Sequence, residues 1–175
     1  MNNKMYFLLQ YQYNDYSGSY RPICVSRFDG WRREDDARYQ WDYAMILVDR
    51  PSLTGYYNFS LGWSGKFKAA TATGYPGALL GGQIIEKVRG SFAGLPPGVN
   101  MPNEVALNHG EVKFTQGSSG GAWVANFSQS EDADHNIIVS LSSFVRNDAL
   151  GLSFGPYLTS DFRRLLEYTT NGCPH

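Results

Sequence analysis

Gly117-Ser118-Ser119-Gly120-Gly121-Ala122-Trp123 sets a serine on a glycine turn immediately before an apolar run, Ala122 to Phe127. A nucleophilic serine needs that setting. Its neighbours must lack bulk so that a carbonyl can approach, and backbone N–H groups must be free to hold the developing oxyanion. The N–H groups of Gly117 and Ser119 are the natural candidates. Taken alone, the stretch also reads as a Gly/Ser turn of a β protein.

The rest of the chain favours a β context. It has 175 residues with 19 Gly, 8 Pro, 12 Tyr and 10 Phe, and helical periods are few. That mix predicts an all-β protein rich in turns, as one domain or as two small barrels sharing a core. Strands are predicted over residues 5–13, 20–28, 43–48, 69–74, 83–90, 111–115, 122–127 and 136–145, and the run 43–48 reads as a buried one. Residues 31–40 are charged and read as a solvated loop, and 93–103 as a long one. One segment changes period. Leu158, Phe162, Leu165 and Leu166 form the apolar stripe of a short closing helix, with Thr159 or Ser160 to cap it and Gly172 to end it.

Bulk properties exclude several functions. The net charge of −1 gives no argument for nucleic acid or an anionic membrane surface. No apolar run approaches spanning length. No His, Cys and carboxylate spacing fits a metal site, and no glycine loop fits a phosphate, so no metal or other cofactor is expected. The start, Met1 to Gln10, has an apolar core of about five residues and no small-residue cleavage site, so it is not read as a signal peptide. Cys24 and Cys173 are the two cysteines, too few to define a framework.

Trp41-Asp42-Tyr43-Ala44 puts a carboxylate at the mouth of an apolar strand. Asp42 precedes Ser119, an Asp…Ser order found in one class of serine triads. With Thr73-Gly74-Tyr75-Pro76-Gly77 and Phe154-Gly155-Pro156-Tyr157-Leu158, these stretches make the chain resemble the trypsin/chymotrypsin-like serine peptidases. The nearest branch is the bacterial glutamyl-endopeptidase-like one, and the resemblance runs from about Tyr6 to Tyr168. It implies a double β-barrel with a short C-terminal helix, a polypeptide substrate or ligand, and secretion. It further implies that Ser119 is the acyl-forming nucleophile, that Asp42 orients an imidazole, and that the Gly117 and Ser119 N–H groups form the oxyanion hole. Ser142, Ser143 and Phe144 fall where that family pairs extended substrate backbone. Lys113 and Phe114 fall where it lines its primary specificity pocket.

The departure is a missing base. That family carries its histidine upstream of the aspartate, whereas the histidines here are His109, His135 and His175, each read as a surface loop residue. Residues 6–48 resemble only the later part of the first barrel. The expected organisation is therefore a barrel remnant over 1–52 carrying Asp42, and a second barrel over 53–175. An open remnant exposes strand edges and apolar surface, so self-association is expected. Without its histidine the chain is expected to be inactive alone, or else to be a non-catalytic homologue that binds polypeptide in the cleft. A G-x-S-x-G elbow of an α/β-hydrolase would need a helix straight after the serine, and Gly120-Gly121-Ala122-Trp123 is a poor helix start.

Overall fold

The computed structural model describes residues 5–62, 65–96, 101, 103–128, 135–146 and 151–174. In chain order these form β1 (Phe7–Leu9), β2 (Gly18–Tyr20), β3 (Pro22–Arg27), β4 (Ala44–Val48), β5 (Asn58–Phe59) and β6 (Ala69–Gly74). Then come β7 (Glu86–Ala93), β8 (Glu104–Asn108), β9 (Ala122–Ala125), β10 (Ile137–Leu141), β11 (Phe144–Val145), β12 (Leu152–Pro156) and one helix, α1 (Ser160–Thr170). The all-β architecture with a closing helix is as expected.

Eight strands make one sheet in the order β11-β12-β8-β7-β6-β9-β10-β5, while β1-β2 and β3-β4 are separate two-stranded ribbons. Period-two alternation builds the large sheet. On β7, Val88 and Phe92 pack against the core, while Lys87, Arg89 and Ser91, which alternate with that face, are exposed. That core gathers Ala70 and Ala72 of β6, Leu107 of β8, Trp123 and Ala125 of β9, and Ile137 and Val139 of β10, with Phe67 and Phe114.

A second cluster joins α1 to the ribbon. Phe162 and Leu165 pack with Leu158 and Tyr43, flanked by Phe28, Trp41 and Met45. Thr159 caps the helix, its side chain accepting from Asp161 N, and a Cys24–Cys173 disulfide ties β3 to the chain just beyond α1. Ser26 and Thr169 share a buried hydrogen bond beside it.

Several expectations need correction. The 43–48 strand is not buried: α1 covers one face of the β3-β4 ribbon, while Ile23 is 61%, Val25 51% and Ile46 44% exposed on the other. No strand forms at 111–115. Glu111 N donates to His109 Nδ1 and Lys113 N to Glu111 Oε1, so side chains take the donors a ladder would use. The strand lies earlier, at β8, between the 93–103 loop and the expected strand, in a stretch for which the sequence predicts no element. The predicted first strand shortens to β1 because Gln10, Tyr13 and Asn14 take positive φ. The charged 31–40 segment is two 3-10 turns, Asp29–Arg32 and Asp36–Trp41. There the Arg38 guanidinium lies 5.0 Å from the Tyr39 ring centroid and 5.7 Å from that of Trp31.

Candidate active site

The glycine turn before β9 is built on its backbone. Thr115 O accepts from both Ser118 N (3.1 Å) and Ser118 Oγ, and Gly121 N donates to Ser118 O at 3.0 Å. The loop is then pinned to the 142 region: Gly120 N donates to Ser142 O (2.7 Å) and Ser142 N to Gly121 O (2.8 Å). Gly117 has φ +95°, and a Cβ there would strike the Tyr75 carbonyl; a Cβ at Gly121 would strike that of Thr73. The Thr73–Gly77 turn thus forms the floor of the loop, with Gly77 N donating to Gln116 O at 2.7 Å. Among the described residues, the N–H groups of Gly117 and Ser119 donate to no protein acceptor. Ser118 is buried, whereas Ser119 is exposed.

Asp42 closes the second 3-10 turn, its N–H donating to Tyr39 O at 3.0 Å. Its Oδ2 accepts from Ser143 Oγ at 2.5 Å. Asp42 and Ser119 line one cavity of about 310 Å³, together with Arg27, Trp31, Trp41, Tyr43, Ala44 and Ser142. Residues far apart in sequence therefore line one cavity.

No family model matches the sequence, and no curated protein does. Solved structures do. A thermostable serine protease, AL20, from an extremophilic microorganism superposes with TM-score 0.76 at 20% identity, covering 96% of this chain and 76% of that one. The protease Anisep from Arthrobacter nicotinovorans gives TM-score 0.76 at 17% identity, covering 98% and 76%. A Glu endopeptidase gives 0.70 at 16%, covering 96% and 72%. The chain has the trypsin-like serine protease fold. At these identities the likeness speaks for the fold, and the chemistry is argued from the site.

On this trypsin-like fold the other candidate residues separate. Ser142 lines the cavity, but its hydroxyl is buried and accepts from Trp123 Nε1 at 2.9 Å. Ser143 N donates to Phe154 O at 2.9 Å, and Phe144 lies on β11, an edge of the large sheet, stacked 4.9 Å from the Phe154 ring. Lys113 is exposed on a turn. Phe114, expected to line a specificity pocket, is 1% exposed inside the core and presents no surface to a ligand.

The described lining residues of the Asp42–Ser119 cavity include no histidine. His109 is not the free surface residue expected. Its Nδ1 accepts from Glu111 N at 3.1 Å, so the ring proton sits on Nε2, which donates to Ser153 Oγ at 3.0 Å. Burial pushes its pKa down. His135 lines a different cavity with Lys66 and Phe127, and His175 lies outside the described residues.

Sequence reading missed Glu104. It opens β8, is 8% exposed, and neither carboxyl oxygen has a hydrogen-bond partner. Burial, with the Asp42 charge adding to it, pushes its pKa up to about 8. Reading 104–108 as a strand would have put Glu104 on the same face as fully buried Ala106 and flagged it.

Proposed function

We propose that this chain is a serine-endopeptidase-type protein with Ser119 as acyl-forming nucleophile and Asp42 as the carboxylate that supports a base. The Gly117 and Ser119 N–H groups are its oxyanion donors. Ser143 and Phe144, beside the β11 edge, pair the backbone of an extended polypeptide. Residues 1–52 are the remnant of a first barrel and 53–175 the second. The observation that carries the reading is the single cavity shared by Asp42 and Ser119, above a loop whose two candidate donors are unused.

Among the described residues, no histidine lines that cavity beside the proposed nucleophile and carboxylate. A serine hydroxyl lacking its base loses several orders of magnitude in rate. The chain alone therefore binds polypeptide and turns it over very slowly. The engagement of both His109 nitrogens favours a second reading, a homologue that only binds.

Fluorophosphonate labelling read by intact mass, beside Ser119→Ala, tests the choice. Slow single labelling that vanishes in the variant supports a nucleophilic Ser119. Absence of labelling under every condition, including an added base, leaves the binding reading.

A further inference from the structure

A second cavity, of about 470 Å³, opens just beyond the end of β9, at Asn126, Phe127 and Ser128, and shares no lining residue with the Asp42–Ser119 cavity. Its described lining holds three cations, Lys66, Lys68 and Arg89, with the His135 imidazole and no carboxylate. The chain as a whole has 15 Lys and Arg against 16 Asp and Glu, so the fold gathers these charges and composition does not. Pairing of β6 with β7 does part of the gathering. Arg89 stands opposite Thr71 and Lys87 opposite Thr73, and opposed residues share a face of the sheet. Period two turns Glu86 to the other face, with core-packed Val88. Lys66 and Lys68 enter from the segment before β6, on either side of buried Phe67.

Among the described residues, Lys66, Lys68 and Arg89 form no ion pair and no side-chain hydrogen bond. Lys87 stands at the border, its Nζ 5.2 Å from the ring centroid of cavity-lining Phe127. Like charges held around one concavity repel, which costs the fold until an anion enters. The floor adds a donor. Thr71 is 7% exposed, lines the cavity, and its hydroxyl bonds no described group, whereas buried hydroxyls are ordinarily paired. Unpaired charge at the rim and a leftover donor at the floor ask for the same occupant.

We propose that this cavity binds a tetrahedral oxyanion carrying two negative charges, a phosphoryl or sulfuryl group, and that it does so independently of Ser119. A phosphoryl group at pH 7 brings about 1.5 to 2 negative charges and three acceptor oxygens. The planar fork of Arg89 can take two oxygens, the lysines act as point charges, and the Thr71 hydroxyl donates from the floor. A single carboxylate offers one charge and leaves most of the rim unmatched. A volume of about 470 Å³ falls within the range of small-ligand pockets, whereas a nucleic-acid backbone needs an extended basic track. The rival occupant is the chain itself: Ser128 and His135 bracket Glu131, Asp132 and Asp134 in sequence, and those three lie outside the described residues.

Isothermal titration calorimetry of the purified protein in low-salt chloride buffer is the test. The probes are inorganic phosphate, sulfate, and a phosphoserine peptide beside its serine and glutamate counterparts, and backbone amide NMR shifts of Val124 and Phe127 locate the site. The variants are Arg89→Gln, Lys66→Gln with Lys68→Gln, and Arg163→Gln, which removes the same charge from α1. All four positions are exposed, and thermal melting checks that each variant folds. Expected is saturable one-site binding of phosphate and sulfate with shifts at both amides. It should be about tenfold weaker in each of the first two variants and unchanged in the third. A phosphopeptide that binds more tightly than phosphate assigns the group to a polypeptide side chain, and a weaker one to a small molecule; both support the site. No binding by the wild type, or equal weakening in Arg163→Gln, overturns the proposal. So does a glutamate peptide that binds as tightly as the phosphoserine one. Binding that emerges only in a variant with Glu131→Gln, Asp132→Asn and Asp134→Asn overturns it in favour of the chain's own carboxylates. None of these readouts involves Ser119, so each outcome is separate from the fate of that serine as nucleophile.

Discussion

Ser143 Oγ donates to Asp42 Oδ2 at 2.5 Å across 101 residues of chain, joining the carboxylate just before β4 of the β3-β4 ribbon to the edge of the large sheet. The donor is neutral and the acceptor charged, which makes this one of the stronger side-chain bonds of the molecule.

Ser143→Ala should therefore cost more than a surface truncation, about 1–2 kcal/mol in urea unfolding. It should also free Asp42 to rotate, so that fluorophosphonate labelling of Ser119 slows while the protein stays folded. An unchanged labelling rate would mean that Asp42 is held by its backbone turn alone.

Glu104 predicts a pH dependence of defined sign. Its folded pKa of about 8 stands above the ordinary 4.5. Below the ordinary value both folded and unfolded chains hold the proton, and its contribution to stability is fully present. As pH rises from there toward 8, the unfolded chain ionises and the folded one does not, so stability falls. At about 1.36 kcal/mol per pH unit the loss reaches the order of 5 kcal/mol. Glu104→Gln, neutral throughout, should be the more stable protein at pH 8 and lose this advantage near pH 4. Parallel stability curves for the two proteins would show that Glu104 finds a partner in solution. His109 acts in the opposite sense: its pKa is lowered, so its contribution is present above the ordinary 6.5 and is lost as pH falls below it.

What could be read from sequence follows from how local each signal is. The glycine loop before β9, strand β6 and helix α1 carry their patterns within a few residues, and the structure keeps them. The partner of Cys24 and the burial of Glu104 depend on contacts across the whole chain. Strand β12 was hidden by its composition. Gly155 and Pro156 are residue types that strands disfavour, yet a Cβ at Gly155 would strike the Leu141 carbonyl, so glycine is there for close approach within the sheet. At 111–115 alternation suggested a strand, and hydrogen bonds from the Glu111 and His109 side chains override it. That Asp42 and Ser119 line one cavity and that Asp42 Oδ2 takes the Ser143 hydroxyl are relationships across the whole chain that needed coordinates.

The glycine loop allows a paired comparison. Gly120 has φ +78° with nothing near its would-be Cβ, while a Cβ at Gly121 would collide with the Thr73 carbonyl. Gly120→Ala should cost about 1–2 kcal/mol, the left-handed backbone penalty alone. Gly121→Ala must displace backbone and should cost clearly more, with loss of labelling. Equal costs in thermal unfolding would place the strain elsewhere.

The disulfide predicts a large effect from two small substitutions. Cys24 and Cys173 close a separation of 149 residues, and cross-links of long loops restrict the unfolded chain most. Replacing both by serine should lower stability by about 3–5 kcal/mol, read as a drop in melting temperature that reducing agent reproduces in the wild type. A melting temperature insensitive to both would mean that α1 holds to the β3-β4 ribbon by packing alone.

The uncovered face of that ribbon makes the last prediction. Ile23, Val25 and Ile46 stand exposed on one side of two paired strands, and among the described residues neither strand has a further ladder partner. Apolar side chains next to open edges are the arrangement that pairs chains together. The purified protein should therefore associate with rising concentration, and Val25→Lys with Ile46→Lys should return it to monomer without disturbing α1, which packs on the opposite face. Sedimentation velocity across a hundredfold concentration range is the measurement. A wild type that stays monomeric throughout would show that this face tolerates water, and would remove self-association as the use of the open ribbon.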